Sequence, residues 1–398
     1  MGMNKYDRLL IFIVSLLSFG WIGGAFQIIR LFSIVLIPFV LWNYSHNKNS
    51  TIKYVCHIGI FFLIYAAIFT LIYDAGGNPC IEFAFLFINC NLVLALLLSA
   101  QKANQPKKSL ALGWLFFVAV TGLIGIRELI TGVHLPTNEG QIEMLDLGLG
   151  INGIKDKAYA AATFGNYNEY VTALCSALPF MFYKLLCAPS WKKIILPLSM
   201  IALSGIIIVV NASRGGILCF VVCALVYFLY YHRSAFKHKL LFAIFMAIGM
   251  PILCFKWGDL LFSQLIERMG TSNFGESGRN FLWLMGWRSF LNSYGMGLGP
   301  GAFSSEIALV PHSIILEILV LYGCVGLLLF LLVLLLILRR SKYIHGMPKM
   351  VIVSFFLMFF PYSIINSNYL QYSFFWVFLS SVIIFAINSK ENEIYIVR

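Results

Sequence analysis

The chain has 398 residues, of which 60% are hydrophobic and only 11% charged, and its mean hydropathy is +0.88. A soluble surface needs roughly a quarter of its residues charged, so this composition excludes a soluble globular domain and makes lipid the natural solvent. The net charge of +12 would suggest nucleic acid in a soluble protein, but here the cations sit in short loops between apolar runs, where they orient a membrane protein, and nucleic acid is set aside as a partner.

A membrane span needs about 20 mostly apolar residues. In chain order the runs 9–26, 28–44, 53–73, 80–100, 109–130, 167–187, 194–211, 215–232, 240–255, 312–338, 350–366 and 372–389 qualify as candidates. They predict an all-α polytopic membrane protein of about a dozen transmembrane helices, one membrane domain over residues 1–398. No small-residue cleavage site follows the first run, so it reads as a span and not a removed signal peptide. The links inside 9–44 and 194–232 are short enough for either pair to be miscounted. The run 312–338 can cross with tilt or begin above the bilayer. The nine cysteines form no C-x-x-C pair and lie mostly in apolar runs, where they act as small hydrophobes.

Charge then orients the spans. With a cytoplasmic N-terminus, 19 of the 28 lysines and arginines fall on the cytoplasmic side, including every short basic loop. The rule that positive loops stay inside therefore predicts both termini cytoplasmic and an even span count. Six of the nine external cations are arginine, whose planar fork suits bidentate phosphate or carboxylate recognition. Two longer external segments, 131–166 and 256–311, are where function is expected.

Candidate chemistry follows along the external face. Thr163–Tyr170 is a polar patch opening a span, and its Asn166, Asn168 and Glu169 can hydrogen-bond a sugar or a partner helix. Glu139, Glu143 and Asp146 make the first external loop acidic, without the histidine spacing of a metal site, and read as a solvated face. Next comes Asn211-Ala212-Ser213-Arg214-Gly215-Gly216. An arginine this close to lipid is costly unless paired or lining a wet cavity, and glycines beside it allow close approach. A phosphate contact and an interfacial arginine capping a tight hairpin both fit.

The stretch from Ser277 to Arg288 resembles an interfacial amphipathic helix, with Trp283 and Trp287 one turn apart and Arg279 and Arg288 flanking it. A helix start at Gly278 would welcome an anion, so an anion contact and an ordinary headgroup contact both fit Arg279, while Arg288 reads as a headgroup contact. Gly295–Gly301 is glycine-rich without the strand and helix of a nucleotide loop, and predicts a tight or re-entrant turn. His312 then opens a span, either as a general base or as an interfacial histidine satisfied by backbone. Glu317, five residues on, faces another direction and is expected to shape the site from the bundle interior.

His312-Ser313, nine residues, then Gly323-Cys324-Val325-Gly326 resembles the signature of the O-antigen ligase and polysaccharide polymerase superfamily. The order of Ser213-Arg214-Gly215-Gly216, Gly278-Arg279, the Gly-x-Gly stretch and the histidine also matches. The resemblance implies a fold similar to the class C glycosyltransferases with external helical loops. It implies a bacterial inner-membrane enzyme that takes a glycan from undecaprenyl diphosphate to an acceptor hydroxyl at the outer face, with inversion, no metal and no cofactor. Carried over, Arg214 and Arg279 would bind the diphosphate and His312 would position or deprotonate the acceptor. Ser213, Gly215, Arg288, Glu317 and Asn166 are the further substrate-binding candidates. Partners implied are the lipid-linked glycan, an acceptor glycan or lipid A-core, the bilayer and other polysaccharide-assembly membrane proteins. Polymerisation of O-antigen, capsule or exopolysaccharide units is favoured over ligation to lipid A-core, because polymerases are the more numerous group. Two other classes compete. A transporter predicts paired repeats and midplane charges, and a scaffold predicts no spatial clustering of Arg214, Arg279 and His312.

Overall fold

The computed structural model describes residues 2–22, 27–72, 78–135, 159–188, 190–230, 278–304 and 310–388. These residues are helical, without a strand. In chain order the helices are α1 (Lys5–Ser15), α2 (Ile28–Val35), α3 (Ile37–Ser45), α4 (Ser50–Ile72), α5 (Pro79–Lys102), α6 (Pro106–Thr131), α7 (Tyr167–Leu186), α8 (Trp191–Val210), α9 (Arg214–Tyr230), α10 (Gly278–Asn292), α11 (Ile314–Ser341), α12 (Met347–Ser363) and α13 (Ser373–Ile387).

The expected spans fall on these helices, except 240–255, which lies outside the described residues. Among the described residues five helices are long and apolar enough to cross a bilayer, and six if α2 and α3 form one bent span; α9, α12 and α13 are shorter apolar helices. Two of the expected runs are interrupted. The run 9–26 leaves the α-helix at Ser15 and tightens into a 3-10 turn, Leu16–Phe19, closed by Gly20 at φ +46°. The run 28–44 bends by 43° between α2 and α3, where Pro38 enters the first turn of α3 and cannot donate to the preceding turn.

Burial sorts the helices into centre and rim. α13 is buried from Ser373 to Ala386 and α7 from Glu169 to Tyr183. Both are buried all round and mostly apolar, as suits a helix enclosed by other helices. α6, α5 and α12 pack on this centre, and α9 packs on α12. α4 is largely exposed, with Phe61, Ile64, Leu71 and Ile72 facing outward, as suits a lipid-facing rim. The protein is membrane-integral.

Polar contacts gather at the two ends of the bundle. At one end Asp7 accepts the backbone N–H groups of Asn4, Asn104 and Gln105 and the Ser109 hydroxyl at 2.8–3.1 Å. Asn4 and Asn388 both donate to the last turn of α5, at Lys102 and Ala100. The opposite end carries the starts of α7, α9, α11 and α13, and the candidate residues with them.

One irregularity fixes that end. α11 breaks at Gly323 (φ +59°, ψ −157°). In an unbroken helix the Cys324 N–H would donate to the Val320 carbonyl. Here it donates to Gly295 at 2.9 Å, and Val320 and Leu321 accept from Leu298 and Gly299 at 2.7 and 2.8 Å. The segment 295–301 is thus a backbone strap across the break, the tight turn expected from its glycines, and it satisfies groups that lipid cannot. A Cβ on Gly323 would lie 2.2 Å from the Gly295 carbonyl oxygen, and one on Gly297 would lie 2.6 Å from the Gly323 nitrogen. By contrast Gly132, also at positive φ, has open space around it.

Gly297→Ala is therefore expected to cost about 3 kcal/mol or prevent folding, combining left-handed strain with backbone overlap. Gly132→Ala should cost only about 1 kcal/mol. Thermal unfolding of the purified variants in detergent measures both.

Candidate functional site

Arg214 is the first residue of α9 and is exposed there. The turn before it is held from both sides. Asn211 exchanges two hydrogen bonds with the Ala160 backbone, each 2.8 Å. The carboxylate of Glu128 in turn accepts the N–H groups of Ala161 and Ala162 at 2.9 and 2.8 Å. Ser213 is buried, and its hydroxyl accepts the Gly216 N–H at 3.3 Å, capping α9. The close approach expected at the two glycines is made by neighbouring helices. A Cβ on Gly215 would meet Ile365 and the Pro361 carbonyl of α12, and one on Gly216 would meet Val171 of α7.

Asn166 caps α7, its side-chain oxygen accepting the Glu169 N–H at 2.8 Å. Glu169 is buried and accepts from the Trp21 indole at 2.6 Å and the Gly165 N–H at 3.2 Å. Arg30 is buried beside this group, over the Phe85 ring at 3.8 Å, and donates to the Gln371 carbonyl. The charge of Arg30 bears on Glu169.

Glu317 is fully buried, and its two carboxylate oxygens accept the N–H groups of Asn368 and Tyr369 at 2.8 and 2.9 Å. It therefore holds the connection between α12 and α13. His312 sits just outside α11 with φ +47°, a left-handed conformation that histidine adopts more readily than most residues. Its Nδ1 is buried without a hydrogen-bond partner. Burial first, and the positive charge of Arg279 second, hold its pKa below the ordinary 6.5. His312 and Glu317 thus serve different neighbours, as the helical offset predicts.

Arg279 lies in the first turn of α10, which begins at Gly278 as expected. Gly286 of α10 abuts Pro311, and a Cβ on this glycine would lie 3.1 Å from the proline Cβ. Residues 279, 283 and 286 share one helical face, so Arg279 and Trp283 lie on the face turned to the His312 segment. Arg288 is nine residues past Arg279, half a turn out of phase, and is exposed. The structure therefore brings Arg279 and His312 together, brings Arg214 to the same end of the bundle, and leaves Arg288 on the other face of α10. Among the described residues no three His, Cys, Asp or Glu side chains are grouped to hold a metal ion.

Three buried polar atoms near this end escape sequence reasoning. The indole nitrogen of Trp283, the amide nitrogen of Asn366 and the side-chain oxygen of Asn368 all lack a hydrogen-bond partner. Trp283 reads in the sequence as a lipid anchor, and the loop asparagines carry no motif.

A cleft of about 310 Å³ opens between α3, α4, α5, α11 and α13. It is lined by apolar side chains, among them Val40, Phe62, Phe330 and Trp376. Its lining includes Ile318, next to Glu317, and Leu370, two residues past Asn368.

Residues 199–331 match the family model described as O-antigen ligase. That segment runs from α8 through α11 and contains Arg214, Arg279, His312 and the strap. No curated protein is similar enough to the chain to be matched.

The lowered pKa of His312 has a consequence for stability. Between its folded value and 6.5 the unfolded chain binds a proton that the folded chain resists, so stability rises with pH there. The contribution of His312 to stability is therefore lost as pH falls below 6.5. His312→Asn, which tolerates the same backbone conformation, should lose less over that window. Unfolding midpoints against pH in the two proteins check this.

Proposed function

We propose that this chain, whose residues 199–331 match the O-antigen ligase family, transfers a glycan from undecaprenyl diphosphate to an acceptor hydroxyl at the outer membrane-water boundary, extending a surface polysaccharide. The observation that carries the reading is the facing of Arg279 and His312 across α10 and the start of α11, within the family segment.

In this reading the acceptor oxygen attacks the anomeric carbon as the bond to the diphosphate oxygen breaks, with inversion. The hydroxyl proton passes to His312, which is neutral near pH 7 because burial and Arg279 disfavour its charged form. The electron pair leaves with undecaprenyl diphosphate, whose growing negative charge Arg279 and Arg214 neutralise. An arginine pair can supply this without a cation. The apolar cleft beside Ile318 and Leu370 suits the first isoprene units of the carrier, placing its headgroup at the polar end.

Purified protein given undecaprenyl-diphosphate-linked glycan is expected to yield longer glycans, whereas a ligase would yield adducts on lipid A-core. Arg279→Lys and Arg214→Lys keep charge but lose the fork, and each should lower kcat at least about 100-fold. His312→Ala should do the same. Activity near the unsubstituted level in the stably inserted variants would remove the reading.

Leu329→Trp, filling the cleft, should raise KM for the long-chain donor about tenfold and leave a short-chain donor unaffected. Equal effects on both donors would exclude the cleft as the tail site.

A further inference from the structure

Two buried polar atoms flank the contact between α10 and the His312 segment, and neither has a hydrogen-bond partner among the described residues. One is the Trp283 indole N–H, which can only donate. The other is His312 Nδ1, which accepts when the ring is neutral with its proton on Nε2. Leaving a buried donor or acceptor unpaired costs about 1–3 kcal/mol. Here one unpaired donor and one unpaired acceptor stand on facing elements, joined where Gly286 meets Pro311.

The pair selects the chemistry of what completes it. A diphosphate only accepts, so it would leave the imidazole nitrogen unsatisfied. A cation would satisfy the imidazole but not the indole N–H. Hydroxyl groups both donate and accept, and the flat indole beside them suits the C–H face of a sugar ring. Phe281, Leu284, Trp287 and Leu291 of α10 are exposed, whereas the Trp283 indole nitrogen is buried.

We propose that Trp283 and His312 form a subsite for the acceptor sugar, in which the indole N–H donates to one hydroxyl and His312 Nδ1 accepts from the same or the adjacent hydroxyl. Trp283 is then an acceptor-binding residue that selects which hydroxyl faces His312. This rests on the glycan-transfer reading above.

The test uses the full chain in detergent or nanodiscs, with its own lipid-linked glycan as donor. The binding probe is the lipid-free oligosaccharide released from that glycan by mild acid. Trp283→Phe keeps an aromatic ring and removes the N–H. It should raise the acceptor KM about tenfold with kcat within about threefold, weaken probe binding by a similar factor, and leave the unfolding midpoint unchanged or higher, because an unmade bond is lost. Trp283→Ala should weaken probe binding further.

An unsubstituted protein that transfers glycan while Trp283→Phe keeps the same acceptor KM and probe binding would overturn the subsite and spare the transfer reading. A clear fall in the Trp283→Phe unfolding midpoint would make the residue structural and also overturn it. An unsubstituted protein that neither transfers glycan nor binds the probe would overturn both.

Discussion

An exchange of backbone hydrogen bonds between two segments holds the site end of this bundle in place. α11 gives up its own bonding at Gly323, and the strap 295–299 takes the vacated positions. The exchange works because both segments lack side chains where they cross, at Gly297 and Gly323. It ties the end of α10 to the interior of α11. With that point and the Gly286–Pro311 contact both fixed, α10 has no freedom to turn Arg279 and Trp283 away from His312. Gly323 is therefore a backbone requirement, well away along the chain from His312. Tyr65 of α4 and Glu82 of α5 hold the strap from the other side, through the Met296 carbonyl and the Gly301 N–H, each 2.7 Å.

Buried carboxylates do the corresponding work for the remaining loops. Glu317 binds the α12–α13 connection, Glu169 binds Trp21 and Gly165, and Glu128 binds Ala161 and Ala162. A carboxylate in apolar surroundings is costly unless its oxygens are satisfied. Backbone N–H groups in irregular segments have the complementary need, since they too require partners at this depth. Matching the two makes an irregular layer rigid without a soluble core beneath it. Arg214 is linked into the layer through Asn211 and Ala160 and through the packing of Gly215 on Ile365. A rigid layer at one end, with a cleft of apolar side chains below it, is suited to a substrate that is itself polar at one end and a hydrocarbon at the other.

The helices were legible because lipid imposes a length and a composition that a single sequence displays directly. The breaks within them were less so. Ser15 to Gly20 leaves the α-helix within an apolar run because Gly20 is pressed against Thr163, where a Cβ would lie 2.3 Å from the carbonyl oxygen. That contact spans more than a hundred residues of chain and has no local signal. The polar candidates divided in the same way. Arg279 and His312 are candidates from spacing alone, and the structure brings them near each other. The assignment of Asn166 and Ser213 to helix capping, and of Glu317 to a distant loop, depended on which backbone N–H groups the fold left open beside them.

Composition and short-range spacing were enough for the solvent and the helical class, because each of these is a property of neighbouring residues. They were not enough to say which face of α10 meets His312. That choice, visible only once the helices are packed, separates Arg279 from Arg288 and turns Trp283 from a lipid anchor into an inward residue with an unused N–H. The difference is one of rotation. A helix's phase about its own axis is set by the contacts that hold it, here the glycine strap and Gly286 against Pro311, and those contacts join residues that lie apart along the chain.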